Sequence, residues 1–149
     1  MSDSIVLFIP DNPQYELSVQ EINFIRNLEW YKNDVTVMVY DTIQFADAGA
    51  NFESVSCPFC RSDLMSTWEE FMDDAYSVEI KGFIYLDIVT PCCNKPISMH
   101  NLDYCFPQGF YKSIIDIPYD SIDDVNEVEI CEQLFNLTNS KWRIIHAHY

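Results

Sequence analysis

The chain has 149 residues, 48% of them apolar and 21% charged, which suits one packed domain and argues against a disordered chain. Eight Lys and Arg against 24 Asp and Glu leave a net charge of −16. That balance excludes a face built to neutralise phosphates, on nucleic acid or on an anionic membrane, and leaves a basic protein, a cation or plain solubility.

The apolar run over residues 5–9, stopped by Pro10, predicts a buried strand. Asp11-Asn12-Pro13 is turn chemistry. Ser18 and Glu21 form a Ser-x-x-Glu capping box, which starts a helix running to about residue 33 with Ile22, Ile25 and Leu28 on its apolar face. Val35, Val37 and Val39 then alternate with Thr36, Met38 and Tyr40 as in a strand. Residues 41–55 are polar and read as a linker. Leu64, Trp68, Phe71, Met72 and Ala75 recur at helical spacing, with Glu69, Glu70, Asp73 and Asp74 on the opposite side. Residues 83–89 read as one strand. Near the C-terminus, residues 113–117 form a strand ended by Pro118, and Ser121 with Asp124 gives a weaker capping signal. A helix to about residue 136 is expected to turn Val128, Cys131, Leu134 and Phe135 inward, and residues 141–149 alternate as a last strand.

Each end of the chain is therefore a β-α-β unit with the same Ile-Pro, Ser-x-x-acid order. Two such units predict an α+β domain with a ferredoxin-like βαβ…βαβ sheet. Residues 1–53 hold the first unit and a linker, 54–106 a cysteine-rich insert, and 107–149 the second unit. The two N-terminal apolar runs are too short for a signal core or for the ~20 residues of a membrane span. The chain is expected to be cytosolic, where cysteines serve as metal ligands, catalytic thiols or buried hydrophobes before they form disulfides.

Four of the six cysteines lie in the insert as two pairs. Cys57-Pro58-Phe59-Cys60 can direct two thiolates at one ion, and Cys92-Cys93 would complete a four-sulfur tetrahedron. Adjacent ligands need a sharp turn, because neighbours on a strand face opposite ways, and Pro91, Asn94 and Pro96 supply turn residues. The first half resembles the zinc-ribbon and zinc-knuckle proteins, whose half-sites read Cys-Pro-x-Cys. The second departs from that pattern, and Arg61 and Asn94 stand where those proteins usually carry glycine. The resemblance implies one structural Zn2+ per chain on Cys57, Cys60, Cys92 and Cys93, with His100 and then Cys105 in reserve as the fourth ligand.

A rival reading makes Cys57 and Cys60 the thiols of a thiol–disulfide oxidoreductase, since Cys-Pro-Phe-Cys is similar to the motif of glutaredoxin-like proteins and a helix follows it. It leaves Cys92 and Cys93 without a role. A metal-dependent hydrolase ranks third and would need an open coordination position. Cys105 and Cys131 are expected in the core. His146 and His148 share one face of the last strand with Trp142 and Ile144, which favours a structural role over metal binding. No Gly-x-Ser-x-Gly and no glycine-rich phosphate loop is present.

From Asp116 to Glu132 the chain carries acids and no Lys or Arg. Asp120, Asp123, Asp124 and Glu127 fall at helical spacing and are expected to form one acidic face for a basic protein partner. The expectation from the sequence is thus a small acidic zinc protein that acts by protein–protein binding, of the kind an immunity-type inhibitor would use, without nucleic acid, membrane or catalysis.

Overall fold

The computed structural model describes residues 3–122 and 124–149, and of residues 124 and 125 the backbone alone. It is a mixed α/β protein whose paired strands are antiparallel, with three α-helices among the described residues. No helix there is long and apolar enough to cross a membrane.

The frame is a six-stranded sheet. β1 (Ser4–Pro10) lies between β10 (Trp142–His148) and β9 (Gly109–Pro118), and β9 pairs in turn with β2 (Thr36–Ala46). The short β5 (Gly82–Phe83) and β4 (Tyr76–Ser77) extend it beyond β2, giving the order β10-β1-β9-β2-β5-β4. Helix α1 (Val19–Arg26) connects β1 to β2, and α3 (Asp124–Thr138) connects β9 to β10. Both pack on the same face: Ile25 of α1 and Ile130 and Leu134 of α3 share one buried cluster with Val6, Phe8, Ile115 and Ile117. The other face carries a smaller cluster of Leu7, Ile9, Tyr111, Ile114, Ile145 and Ala147.

The capping box forms as the sequence predicts: Glu21 N–H donates to Ser18 Oγ and Ser18 N–H to Glu21 Oε1. The helix nevertheless stops at Arg26, not near residue 33. Asn27 bonds back to Asn23 O through its side chain, and the chain continues through single turns that still bring Tyr31 against the core. The apolar periodicity therefore outlasts the helix. The expected linker is also shorter. β2 runs on to Ala46, past a register shift between Val39 and Gln44, because Ile43 and Phe45 continue the inward alternation. Thr42 and Gln44, which make the stretch look polar, bond the Lys81 carbonyl oxygen at the edge.

The insert is fastened to this frame. Helix α2 (Met65–Ala75) presents the predicted face, and its four acids are exposed. Phe45 of β2 and Phe110 of β9 pack at 4.9 Å between ring centroids, and Phe45 also meets Trp68 and Tyr104 of the insert. Trp68 Nε1 donates to Tyr104 Oη, which donates to Met99 O, so the polar atoms of this aromatic group are satisfied. The predicted strand over 83–89 is two strands: β5 joins the main sheet, while β6 (Asp87–Val89) pairs with β7 (Pro96–Ser98). β3 (Ser54–Ser56) pairs with β8 (Asp103–Cys105).

In α3 the inward face is displaced from the predicted one. Glu127, Ile130 and Leu134 are buried, while Val128 and Phe135 are 59% and 44% exposed. Ser121 lies in a 3-10 turn (Tyr119–Ser121), and its hydroxyl donates to the Asp34 carboxylate.

Candidate metal centre

Two hairpin turns build the site. In the first, Ser56 bridges Asp63, Cys57 N–H donates to Ser62 O, and Arg61 N–H donates to Cys57 O. In the second, Val89 pairs with Pro96, Thr90 N–H donates to Lys95 O, and Asn94 N–H donates to Thr90 O. Each turn needs a left-handed residue in the same place, and Arg61 (φ 68°) and Asn94 (φ 57°) take it. These are the two positions where zinc knuckles usually carry glycine. Asn tolerates this conformation well, whereas Arg occupies it at a cost.

The turns meet at their tips. The Sγ atoms of Cys57, Cys60, Cys92 and Cys93 all lie within 4.8 Å of one another. Cys57 Sγ is 3.7 Å from Cys93 Sγ, and Cys92 Sγ is 3.9 Å from Cys93 Sγ. These separations are far beyond a disulfide bond, and all six cysteines are free. They match the edge of a tetrahedron with metal–sulfur bonds of about 2.3 Å, which is about 3.8 Å. The donor set is soft and closed, as a structural zinc site requires. Outside the sulfurs, Lys95 Nζ of the second turn sits 5.0 Å from the Phe59 ring centroid of the first, and Arg61 pairs with Asp103 at 3.3 Å.

Electrostatics point the same way. The Ser62 hydroxyl and then its backbone N–H pull the Cys60 thiol down to about 6. Desolvation works against ionising Cys57, but the backbone N–H groups of Cys60 and Phe59 and the neighbouring thiols bring it below its ordinary value. Desolvation, followed by the sulfurs of Cys60, Cys57 and Cys93, pushes Cys92 up to about 12. Four thiolates this close cannot all ionise without a compensating charge, which a bound divalent cation would supply.

The two reserve ligands lie elsewhere. His100 is buried, its Nδ1 accepts from Phe110 N–H at 2.9 Å, and its Nε2 is 3.7 Å from Asp11 Oδ1. Cys105, expected in the core, is exposed beside Glu53 because it alternates with buried Tyr104 along β8. Cys131 is half-buried. The histidines of β10 have separate partners: His146 Nε2 lies 2.7 Å from Glu127 Oε1, and His148 Nδ1 lies 2.9 Å from Ser4 Oγ.

Of the four acids expected on one face, Asp120 and Glu127 are the two whose side chains are described. Asp120 is exposed on the 3-10 turn, Glu127 is turned inward onto His146, and the two belong to different elements. Asp123 and the Asp124 side chain lie outside the described residues. The local signal for Glu127 was its spacing with Ile130 and Leu134, which places it on the core side of α3. Comparison with protein-family models, with curated proteins and with solved structures returns no match for this chain.

Proposed function

We propose that the protein is a structural zinc protein in which a four-cysteine centre on Cys57, Cys60, Cys92 and Cys93 fastens the insert, and that it acts by binding another protein. The observation that carries the reading is the convergence of four sulfurs from two equivalent turns at tetrahedral spacing. The buried Cys57 belongs to the same apolar cluster as Leu64, Met99 and Phe110, so metal binding and folding of this region are one process. The β10-β1-β9-β2 order, with α1 and α3 on one face, supports reading the frame as ferredoxin-like. The charge of −16 supports a basic protein as partner, as an immunity-type inhibitor would have, in a cytosolic setting. Asp120 is exposed for such a contact, whereas Glu127 faces His146.

The oxidoreductase reading leaves Cys92 and Cys93 without a role, although their sulfurs join those of Cys57 and Cys60. α2, the helix that follows the motif, begins only at Met65, and Cys93 Sγ sits 3.7 Å from Cys57 Sγ. The test is hydrogen exchange on zinc-loaded wild type and on Cys57→Ser. The variant is expected to lose the metal and the protection of the Arg61, Asn94 and Leu64 amides, while β1, β9 and β10 stay protected. Protection of those three amides in Cys57→Ser equal to wild type would overturn the reading. A partner is sought by pull-down from native extract, and association is expected to slow as salt rises.

A further inference from the structure

The two turns of the metal centre correspond residue by residue. Cys57 and Thr90 are both fully buried and both follow a short strand. Each closes the same pair of backbone bonds, to Ser62 and Arg61 in one case and to Lys95 and Asn94 in the other. Pro58 matches Pro91, exposed Phe59 matches exposed Cys92, Cys60 matches Cys93, and the left-handed Arg61 matches the left-handed Asn94. In this correspondence the inner ligand of the first turn, Cys57, is answered by a threonine. Thr90 Oγ1 lies 3.3 Å from Cys93 Sγ and accepts the Lys95 N–H at 2.9 Å, so the hydroxyl sits beside the sulfur cluster. The fourth sulfur comes from Cys92, at the outer position that Phe59 fills in the first turn.

We infer that the 90–95 turn is a second copy of the 57–62 metal-binding turn in which Thr90 holds the inner ligand position. Cys92 supplies the fourth sulfur from the outer position, which makes its bond the exchangeable one of the site. This rests on the metal reading proposed above. The place of Cys92 in its turn separates it from the other ligands. Cys92 and Cys60 are exposed and Cys57 is buried, and Cys92 is the exposed ligand whose counterpart in the other turn, Phe59, is not a ligand. It reaches the cluster from the position whose counterpart points into solvent. An incoming soft donor, such as an exogenous thiol, therefore displaces Cys92 first.

The correspondence predicts a rescue. Cysteine is close to threonine in size, so Thr90→Cys places a sulfur beside Cys93 without enlarging the buried position. The experiment uses the full chain as wild type, Cys92→Ser, Thr90→Cys and the Thr90→Cys/Cys92→Ser double variant. Each is loaded with Co2+ for absorption spectra and with Zn2+ for competition against a chromophoric chelator. Bound-state alkylation is mapped by mass spectrometry. Wild type is expected to take one Co2+ in a four-sulfur tetrahedral field. Cys92→Ser is expected to lose more affinity than the roughly 10–100-fold that removal of an outer-shell partner costs. The double variant is expected to regain wild-type affinity and the four-sulfur spectrum. In Zn2+-loaded Thr90→Cys, Cys92 is expected to be released and to alkylate faster than in wild type.

Equal affinity of Cys92→Ser and wild type would remove Cys92 from the site. A double variant no tighter than Cys92→Ser would break the correspondence of Thr90 with Cys57. So would a Thr90→Cys protein that stays folded and keeps Cys92 as protected as in wild type. Failure of wild type itself to bind Co2+ or Zn2+ would overturn the metal reading, and this inference with it.

Discussion

Acidification is predicted to weaken the fold through His100. The ring is 1% exposed, and its Nδ1 accepts the Phe110 N–H, so the neutral tautomer carries its proton on Nε2. A charged ring would lose that acceptor. Burial is the main reason that its pKa is lowered from 6.5 to about 4. The Arg143 guanidinium adds to the effect, and Asp11 works against it. The unfolded chain takes up a proton below pH 6.5 and the folded chain only near pH 4, so stability falls as pH drops through that window and levels off beneath it. Each pH unit across the window is worth about 1.4 kcal/mol, which gives about 3 kcal/mol in all. That is a large part of the roughly 5–15 kcal/mol typical of a domain. The assay is urea unfolding of wild type and His100→Asn in steps from about pH 7 to about pH 4. Asn keeps an acceptor near the Nδ1 position but does not titrate, and the carboxylates and thiols common to both proteins cancel in the difference. The gap between the two proteins is expected to narrow or reverse by about 3 kcal/mol across the window. A constant gap, or an NMR titration of His100 in the folded protein centred near its ordinary value of 6.5, would refute the argument.

Ser113 is buried, accepts the Leu17 N–H and donates to Tyr15 O, so Ser113→Ala strands two backbone groups and is expected to cost on the order of 1–3 kcal/mol by urea unfolding. Glu127 faces His146 and not solvent, so Glu127→Ala is expected to destabilise the fold by about 1 kcal/mol in urea unfolding, while Glu127→Gln, which still accepts a hydrogen bond, costs less. Neither change is expected to alter the on-rate of a basic partner, which stopped-flow mixing at two salt concentrations measures.

The readable parts of the sequence were those where a local pattern and the tertiary environment agree. The run ending at Pro10 is β1, the Ser18–Glu21 capping box is formed, and the Leu64-to-Ala75 periodicity is the packed face of α2. The Cys57–Cys60 and Cys92–Cys93 pairs were legible as ligand candidates because four thiols in two pairs have few other uses. Where the reading missed, a distant contact decided. β2 continues through polar Asp41, Thr42 and Gln44 because β5 lies alongside it, and nothing within residues 41–46 announces that neighbour. The face of α3 is set by the sheet beneath it, which takes Glu127 inward because His146 waits opposite on β10. Periodicity alone offered two overlapping apolar stripes there and no means of choosing between them. His100 looked like a spare ligand by its distance along the chain, yet Phe110 and Arg143, supplied by β9 and β10, hold it elsewhere. The role of Thr90 was hidden for a related reason: its equivalence to Cys57 lies in backbone hydrogen bonds that only the folded hairpins display.

Metal content combined with a thiol count tests the central claim most directly. Protein purified under reducing conditions without chelator is analysed for bound elements, and its reactive thiols are counted before and after chelation. The account predicts one zinc per chain and four thiols, Cys57, Cys60, Cys92 and Cys93, that become reactive when the metal is withdrawn. Protein that carries no metal, takes up none when zinc is supplied, and shows the same reactive thiols with and without chelator would contradict it.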